Sequence, residues 1–291
     1  MGRMKIGITG ATGLIGSALV KHLAPEHEVV RFIRKPASAP DERRWDGTFL
    51  EPQAVEDLDA VVHLAGAGVA DERWTKEYKS QILDSRVVGT TAVANAVAQA
   101  GVPVLLSASA IGYYGDTGDR LTDETGPRGE GFLAEVCEAW EAATLVATAR
   151  TVHLRTGIVL SKEGGALRKQ LPIFKAGTGA PLGSGKQYQS WISIDDEVAA
   201  ITHLLTADVE GPVNLVGPGP VTNKDFTKEL GKAVHRPTLP VHVPGFVLKA
   251  ALGQFAEEGV LRGQRLEPSV LERSGFAFRH ATLASALQAV L

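Results

Sequence analysis

The chain has 291 residues, 44% hydrophobic and 22% charged, a composition that suits a globular protein of one or two domains. Its net charge of −3 gives no electrostatic case for nucleic acid or an anionic membrane as partner, and no apolar run reaches membrane-spanning length. The single cysteine, Cys137, excludes an intrachain disulfide and fits a small buried residue in a reducing compartment. Since Met1 to Met4 lead straight into a strand rather than a signal peptide, a cytoplasmic protein is expected.

Lys5 to Thr9 reads as a short buried strand, Gly10-Ala11-Thr12-Gly13-Leu14-Ile15-Gly16 as a glycine turn, and Ser17 to about Ala24 as a helix stopped by Pro25. Strand, glycine turn and helix in that order are the layout of a dinucleotide-binding βα unit. Gly10 is expected to make the tight turn, Gly13 to let backbone approach a pyrophosphate, and Gly16 to let helix and strand pack closely. Thr12, Leu14 and Ile15 complete that lining, and the helix N-terminus supplies N–H groups and a positive dipole end. Glu28 to Arg34 reads as the second strand. An NAD-preferring site places an acidic residue at its end; here Ile33 is followed by Arg34-Lys35, with Arg31 three residues earlier. Cations there suit a 2′-phosphate, so NADP is the expected cofactor.

Asp59 to Gly66 reads as a buried strand whose end, Leu64-Ala65-Gly66, borders the cofactor; His63 inside it is expected to be a core histidine. Trp74 to Ala100 is helical, as one helix or two, and Val102 to Leu106 is the next strand. It runs into Ser107-Ala108-Ser109-Ala110-Ile111-Gly112-Tyr113-Tyr114-Gly115. Thr151 to Leu160 reads as one strand, and a glycine-rich loop, Gly177 to Lys186, suits a cover over an anionic substrate. Trp191 to Asp196 is expected to return to the sheet. Asp195 and Asp196 then start a helix, Asp123-Glu124 is expected to be a solvated acidic pair, and helices follow from Pro240 onward.

These residues resemble the extended short-chain dehydrogenase/reductase superfamily. The resemblance rests on Gly10-x-x-Gly13-x-x-Gly16, His63-Leu64-Ala65-Gly66, Arg86-Val87-Val88-Gly89-Thr90 and the Ser109 to Gly115 turn. Gly112 to Gly115, Trp140-Glu141, Pro181 to Gly185, Trp191 to Asp196 and the segment after Pro240 are similar to its atypical epimerase/dehydratase-like group, often labelled sugar-nucleotide epimerases. The fold implied is α/β, a Rossmann-type doubly wound parallel sheet with a smaller, mostly helical substrate lobe. Residues 1–160 and 190–216 would form the cofactor domain, 161–189 and 217–291 the lobe. The resemblance also implies cofactor contacts from Arg86, with Gln81 before it, and from Arg155 at a strand end.

The catalytic pattern departs from that family. Its Tyr-x-x-x-Lys pair should lie on the helix from Gly131 to Glu141, where one frame offers Leu133 and Cys137 and the other Phe132 and Val136. Candidates for proton chemistry are therefore Ser109, Tyr113 and Tyr114, with Tyr114 in a substrate-side position of ordinary members. A phenol titrating near ~10 donates a proton at neutral pH more readily than it accepts one. The expected activity is an NADP-dependent oxidoreductase or epimerase acting on a small, nucleotide-linked substrate, as monomer or homodimer and without a metal. The alternative is a non-catalytic dinucleotide sensor.

Overall fold

The apolar runs of the N-terminal half are short and almost unbroken, the pattern of strands covered on both faces. In the computed structural model, which describes residues 2–291, they alternate with helices. The order is β1 (Lys5–Thr9), α1 (Leu14–Leu23), β2 (Glu28–Ile33), β3 (Glu42–Arg44), β4 (Ala60–His63), α2 (Lys76–Ala100), β5 (Val104–Ala110), α3 (Phe132–Ala142) and β6 (Arg150–Thr156). There follow β7 (Ile158–Leu160), α4 (Gly165–Lys175), β8 (Tyr188–Gln189), β9 (Trp191–Ser193), α5 (Ile194–Leu204), β10 (Gly211–Leu215), β11 (Val221–Thr222) and α6 (Asn223–Ala233). The chain closes with α7 (Gly245–Leu252), α8 (Ser269–Arg273) and α9 (Leu283–Val290). Seven strands form one parallel sheet ordered β10-β6-β5-β4-β1-β2-β3. The order reverses between β1 and β4, so their C-terminal ends flank the crevice where such sheets take ligands.

Strand alternation splits the core into two layers. Ile6, Ile8 and Val62 face α1 and α5 with Leu19, Leu23, Ile201 and Leu204. Val30, Phe32, Val61 and Leu105 face α2 with Val93 and Val97. Helix α2 is a single helix of 25 residues, capped by the Thr75 side chain and ended by Gly101 in the left-handed conformation, φ 70°.

Two expectations are corrected here. Thr151 to Leu160 is not one strand: it breaks at Gly157, where a Cβ would stand 2.6 Å from the Ser190 carbonyl oxygen. Beyond the break, β7 pairs in parallel with β9, so Trp191 to Ser193 meets this small ribbon and β10 is the segment that returns to the main sheet.

Leu167, Phe174, Trp191, Phe226 and Leu287 pack into a further core, to which the C-terminal helix α9 contributes Leu287. The C-terminal segment is fastened at two places. Asp196, almost fully buried, accepts hydrogen bonds from the Arg279 and His280 backbone N–H groups at 2.8 and 3.1 Å. Residues 263–266 form a strap across the end of the sheet: Gly263 O accepts from Thr117 N at 3.0 Å and Arg265 O from Thr122 N at 2.9 Å. The Ser190 hydroxyl, donating to Gln264 O at 2.8 Å and accepting from Leu266 N at 3.0 Å, holds the other edge.

Candidate functional site

The crevice at the switch point is built by glycine. Gly10 has φ +67°, and a Cβ there would meet the Leu64 carbonyl oxygen at 2.8 Å. A Cβ at Gly16 would stand 2.2 Å from Gly10 O, so α1 presses directly on the turn. At Gly13 a Cβ would meet only Gly10 O, at 3.3 Å, which leaves the outer side clear. Gly13 is also the N-cap of α1; no side chain caps it and the first turn holds no acidic residue. The first-turn N–H groups and the positive dipole end therefore face outward, a fit for pyrophosphate. Leu14 sits beneath the α4 entry, where a Cβ at Gly164 would come within 3.1 Å of it, while Thr12 is exposed and Ile15 half-buried beside the turn.

Thr9 ties β1 to the end of β4. Its Oγ1 accepts from Leu64 N at 3.1 Å and Ala65 N at 3.3 Å and bonds His63 Nδ1 at 2.7 Å. His63 is fully buried with its ring edge-on to Trp45 at 5.9 Å, and burial lowers its pKa to about 4. It is a neutral core histidine.

Of the cations in and just after β2, Arg31 is engaged within the protein. Asp41 grips its guanidinium at 2.6 and 3.0 Å and Glu42 lies 3.1 Å away, so two carboxylates already neutralise it. Arg34, just past Ile33, is exposed and makes no ion pair among the described residues. Arg86 is neither on the surface nor paired with Asp84 or Glu77. It is 8% exposed, donates from Nη1 to Ala67 O at 2.9 Å and stacks on Trp140 at 4.7 Å, beside the Gly66 backbone. Burial lowers its pKa. No carboxylate lies within ion-pair distance of it among the described residues. Gln81 does not join it: five positions earlier is roughly 140° round the helix, and Gln81 points to solvent.

At the end of β5 lies a buried polar network. Ser109 donates from Oγ to Glu141 Oε1 at 2.6 Å. Glu141 holds Arg155 in a fork, Nε–Oε1 and Nη2–Oε2 both 2.8 Å. Although burial opposes the charge on Arg155, the Glu141 carboxylate raises its pKa above the usual value. Arg155 Nη1 donates to the Tyr114 hydroxyl at 2.9 Å, and Tyr114 donates to Asn214 Oδ1 at 2.7 Å. Arg155 is buried and spends Nε, Nη1 and Nη2 on Glu141 and Tyr114. Tyr114 is 2% exposed, and burial pushes its pKa up to about 12, so it is an interior bridge rather than an acid in a cleft. Tyr113 differs: its ring lies 3.5 Å from the Arg155 guanidinium, it is half-buried, and its hydroxyl makes no hydrogen bond among the described residues.

The reading frame on α3 is also settled. A Cβ at Gly112 would meet Leu133 Cβ at 3.2 Å and Cys137 Sγ at 3.7 Å, so positions 133 and 137 face the Ser109 turn. Val136 packs instead with Tyr78 and Ile82. Cys137 supplies no base, because burial pushes its pKa up to about 12.

Several buried carboxylates near the site are not legible in the sequence. Glu124 is not solvated but 7% exposed, accepting from Asn214 N and Val270 N at 3.1 Å each. Glu258 caps α3 from the C-terminal segment, accepting from Leu133 N at 3.0 Å. Glu197 is fully buried, accepts from Thr156 Oγ1 at 2.9 Å, and leaves Oε2 without a partner; burial raises its pKa to about 8. Glu141 is one of three glutamates on α3 and Arg155 one of two arginines on β6, so nothing local marks these two as the pair that folding buries together.

On the substrate side the glycine loop is not a free hairpin. Leu182 N donates to Asn223 Oδ1 at 2.7 Å, Lys224 N to Gly185 O at 2.9 Å, and Gly183 N to Val243 O at 2.9 Å. Arg265 from the strap lies over the Tyr188 ring at 4.8 Å.

The chain matches the NAD dependent epimerase/dehydratase family over residues 6–217 and a domain of unknown function, DUF1731, over 243–290. It is 48% identical to Epimerase family protein MT2273 of Mycobacterium tuberculosis over 99% of this chain and 97% of that protein. A crystal structure of human epimerase family protein SDR39U1 (isoform 2) with NADPH superposes with TM-score 0.90 at 33% identity, covering 99% of both chains. A nucleoside-diphosphate sugar epimerase from Corynebacterium glutamicum gives TM-score 0.83 at 34% identity over 99% of this chain and 58% of that one. With an uncapped glycine turn at the switch point and homology spanning the sheet and the lobe, the chain belongs to the NAD dependent epimerase/dehydratase family, with a DUF1731 segment at its C-terminal end.

Proposed function

We propose that this protein binds NADP(H) at the Gly10 to Gly16 turn and acts as an oxidoreductase or epimerase on a small, nucleotide-linked substrate. The observation that carries the cofactor reading is the open, uncapped start of α1 next to a β2 end bearing Arg34 instead of an acidic residue. The human relative crystallised with NADPH supports it. Nicotinamide, when bound, supplies or accepts a hydride. The chain's own residues would handle the proton. A serine hydroxyl has one donor and two acceptor positions. Because the Ser109 proton goes to Glu141, Ser109 meets a substrate hydroxyl as acceptor and orients it. Tyr113 has its phenol uncommitted and is the proton donor in this reading.

The full chain should bind NADPH more tightly than NADH in calorimetry. It should turn over a member of a nucleotide-sugar panel in an assay following absorbance of the reduced cofactor. Tyr113→Phe should lower turnover by on the order of 10²-fold while NADPH binding persists. The commitment of the Ser109 proton, Arg155 and Tyr114 to internal partners favours a second reading, a dinucleotide-binding protein without turnover. Tight NADPH binding with no turnover across the panel would establish that one instead.

A further inference from the structure

Strand β3 carries consecutive arginines, and alternation sends them to opposite faces. Arg43 is occupied: it forks onto Asp57 at 2.6 and 2.8 Å and donates to Ala54 O. Arg44 is exposed and makes no ion pair or hydrogen bond through its side chain among the described residues. Its backbone is nonetheless fixed. Arg44 pairs in register with Ile33, the last residue of β2, and Trp45 N donates to Ile33 O at 3.0 Å. Trp45 is 6% exposed and packs edge-on against His63, which is bonded to Thr9 at the start of the glycine turn. Arg34 leaves β2 one residue after Ile33, and its Cδ lies 3.9 Å from where a Gly47 Cβ would be. Arg34 and Arg44 therefore leave the backbone on either side of the same Asp46–Gly47 turn. The pKa of the Asp46 carboxyl is lowered first by hydrogen bonds from Thr48 and Phe49 and, behind these, by the charge of Arg44. Asp46 is the resident acid, yet its Oδ1 accepts from Thr48 N, Thr48 Oγ1 and Phe49 N and is held in the turn.

We propose that Arg44 and Arg34 together seat the 2′-phosphate of NADP(H), with Arg31 withdrawn from that role by Asp41 and Glu42. A phosphate monoester carries close to two negative charges at neutral pH, and forked guanidinium donors match its oxygens. NADH has a hydroxyl in that place and gains nothing from Arg44. The inference deepens the NADP reading and rests on it.

Calorimetry on the full chain at fixed ionic strength, with NADPH, NADH and 2′,5′-ADP as probes, tests it. Arg44→Ala should weaken NADPH and 2′,5′-ADP by on the order of 10-fold and leave NADH unchanged. Arg44→Lys should restore part of the loss, because it keeps the charge without the fork. The NADPH affinity of Arg44→Ala should also fall less steeply with salt than that of the wild type. Wild-type NADPH affinity in Arg44→Ala, or equal losses for NADPH and NADH, would overturn the assignment. A wild-type protein that prefers NADH refutes the cofactor reading itself, before any variant is made.

Discussion

Glu197 is the titratable group whose removal should change the protein's pH response most. Its carboxyl is fully buried near the end of β6, with Thr156 as its hydrogen-bond donor and Oε2 unpartnered. Burial raises its pKa from 4.5 to about 8, so the folded state keeps a proton that the unfolded chain releases above about pH 4.5. Between those values the folded protein binds more protons, and stability falls as pH rises. From pH 4.5 to 7 the shift corresponds to a loss on the order of 3 kcal/mol, at roughly 1.4 kcal/mol per unit, levelling off above about pH 8. In Glu197→Gln an amide replaces the acid with nearly the same shape and no titration. Urea unfolding of both proteins, followed by tryptophan fluorescence at pH 5, 6, 7 and 8, isolates the difference, because the other ionisable groups cancel. The variant should gain on the wild type steadily up to pH 8. Parallel stability curves for the two proteins would show that Glu197 ionises in place, and the argument would fail.

Other outcomes follow from the same contacts. Glu141→Ala leaves the buried Arg155 guanidinium without its carboxylate and should cost about 3–5 kcal/mol in chemical denaturation; Glu141→Ala with Arg155→Met should cost less than Glu141→Ala alone, and equal costs would count against the pairing. Gly16→Ala puts a Cβ 2.2 Å from Gly10 O, so NADPH binding should drop by at least 10-fold in titration if the turn is the pyrophosphate seat. Asp196→Ala removes the acceptor for Arg279 N and His280 N. Limited proteolysis should then release the C-terminal end of the variant well before that of the wild type; equal digestion rates would mean that Asp196 is not the clasp.

Local sequence determined the parts of this protein that depend on neighbours along the chain. Gly10, Gly13 and Gly16 announced a strand-turn-helix unit because spacing, positive φ and close packing are local requirements, and the parallel sheet followed from apolar runs alternating with helical segments. His63 was legible as a core residue because it sits inside such a run. Partners distant in sequence were decided only by the tertiary structure. Ser109 and Glu141 are 32 residues apart, Tyr114 and Asn214 are 100, and Leu133 and Glu258 are 125. No periodicity links residues that far apart. The same holds for Arg31, Arg34 and Arg44: in the sequence each is simply a basic residue, and the strand that carries Arg44 was not read from it. Whether the charge is quenched by Asp41 or left for a ligand depends on β3 pairing beside β2. Charge is written in the sequence, but its availability is a property of what folding sets within a few ångströms of it.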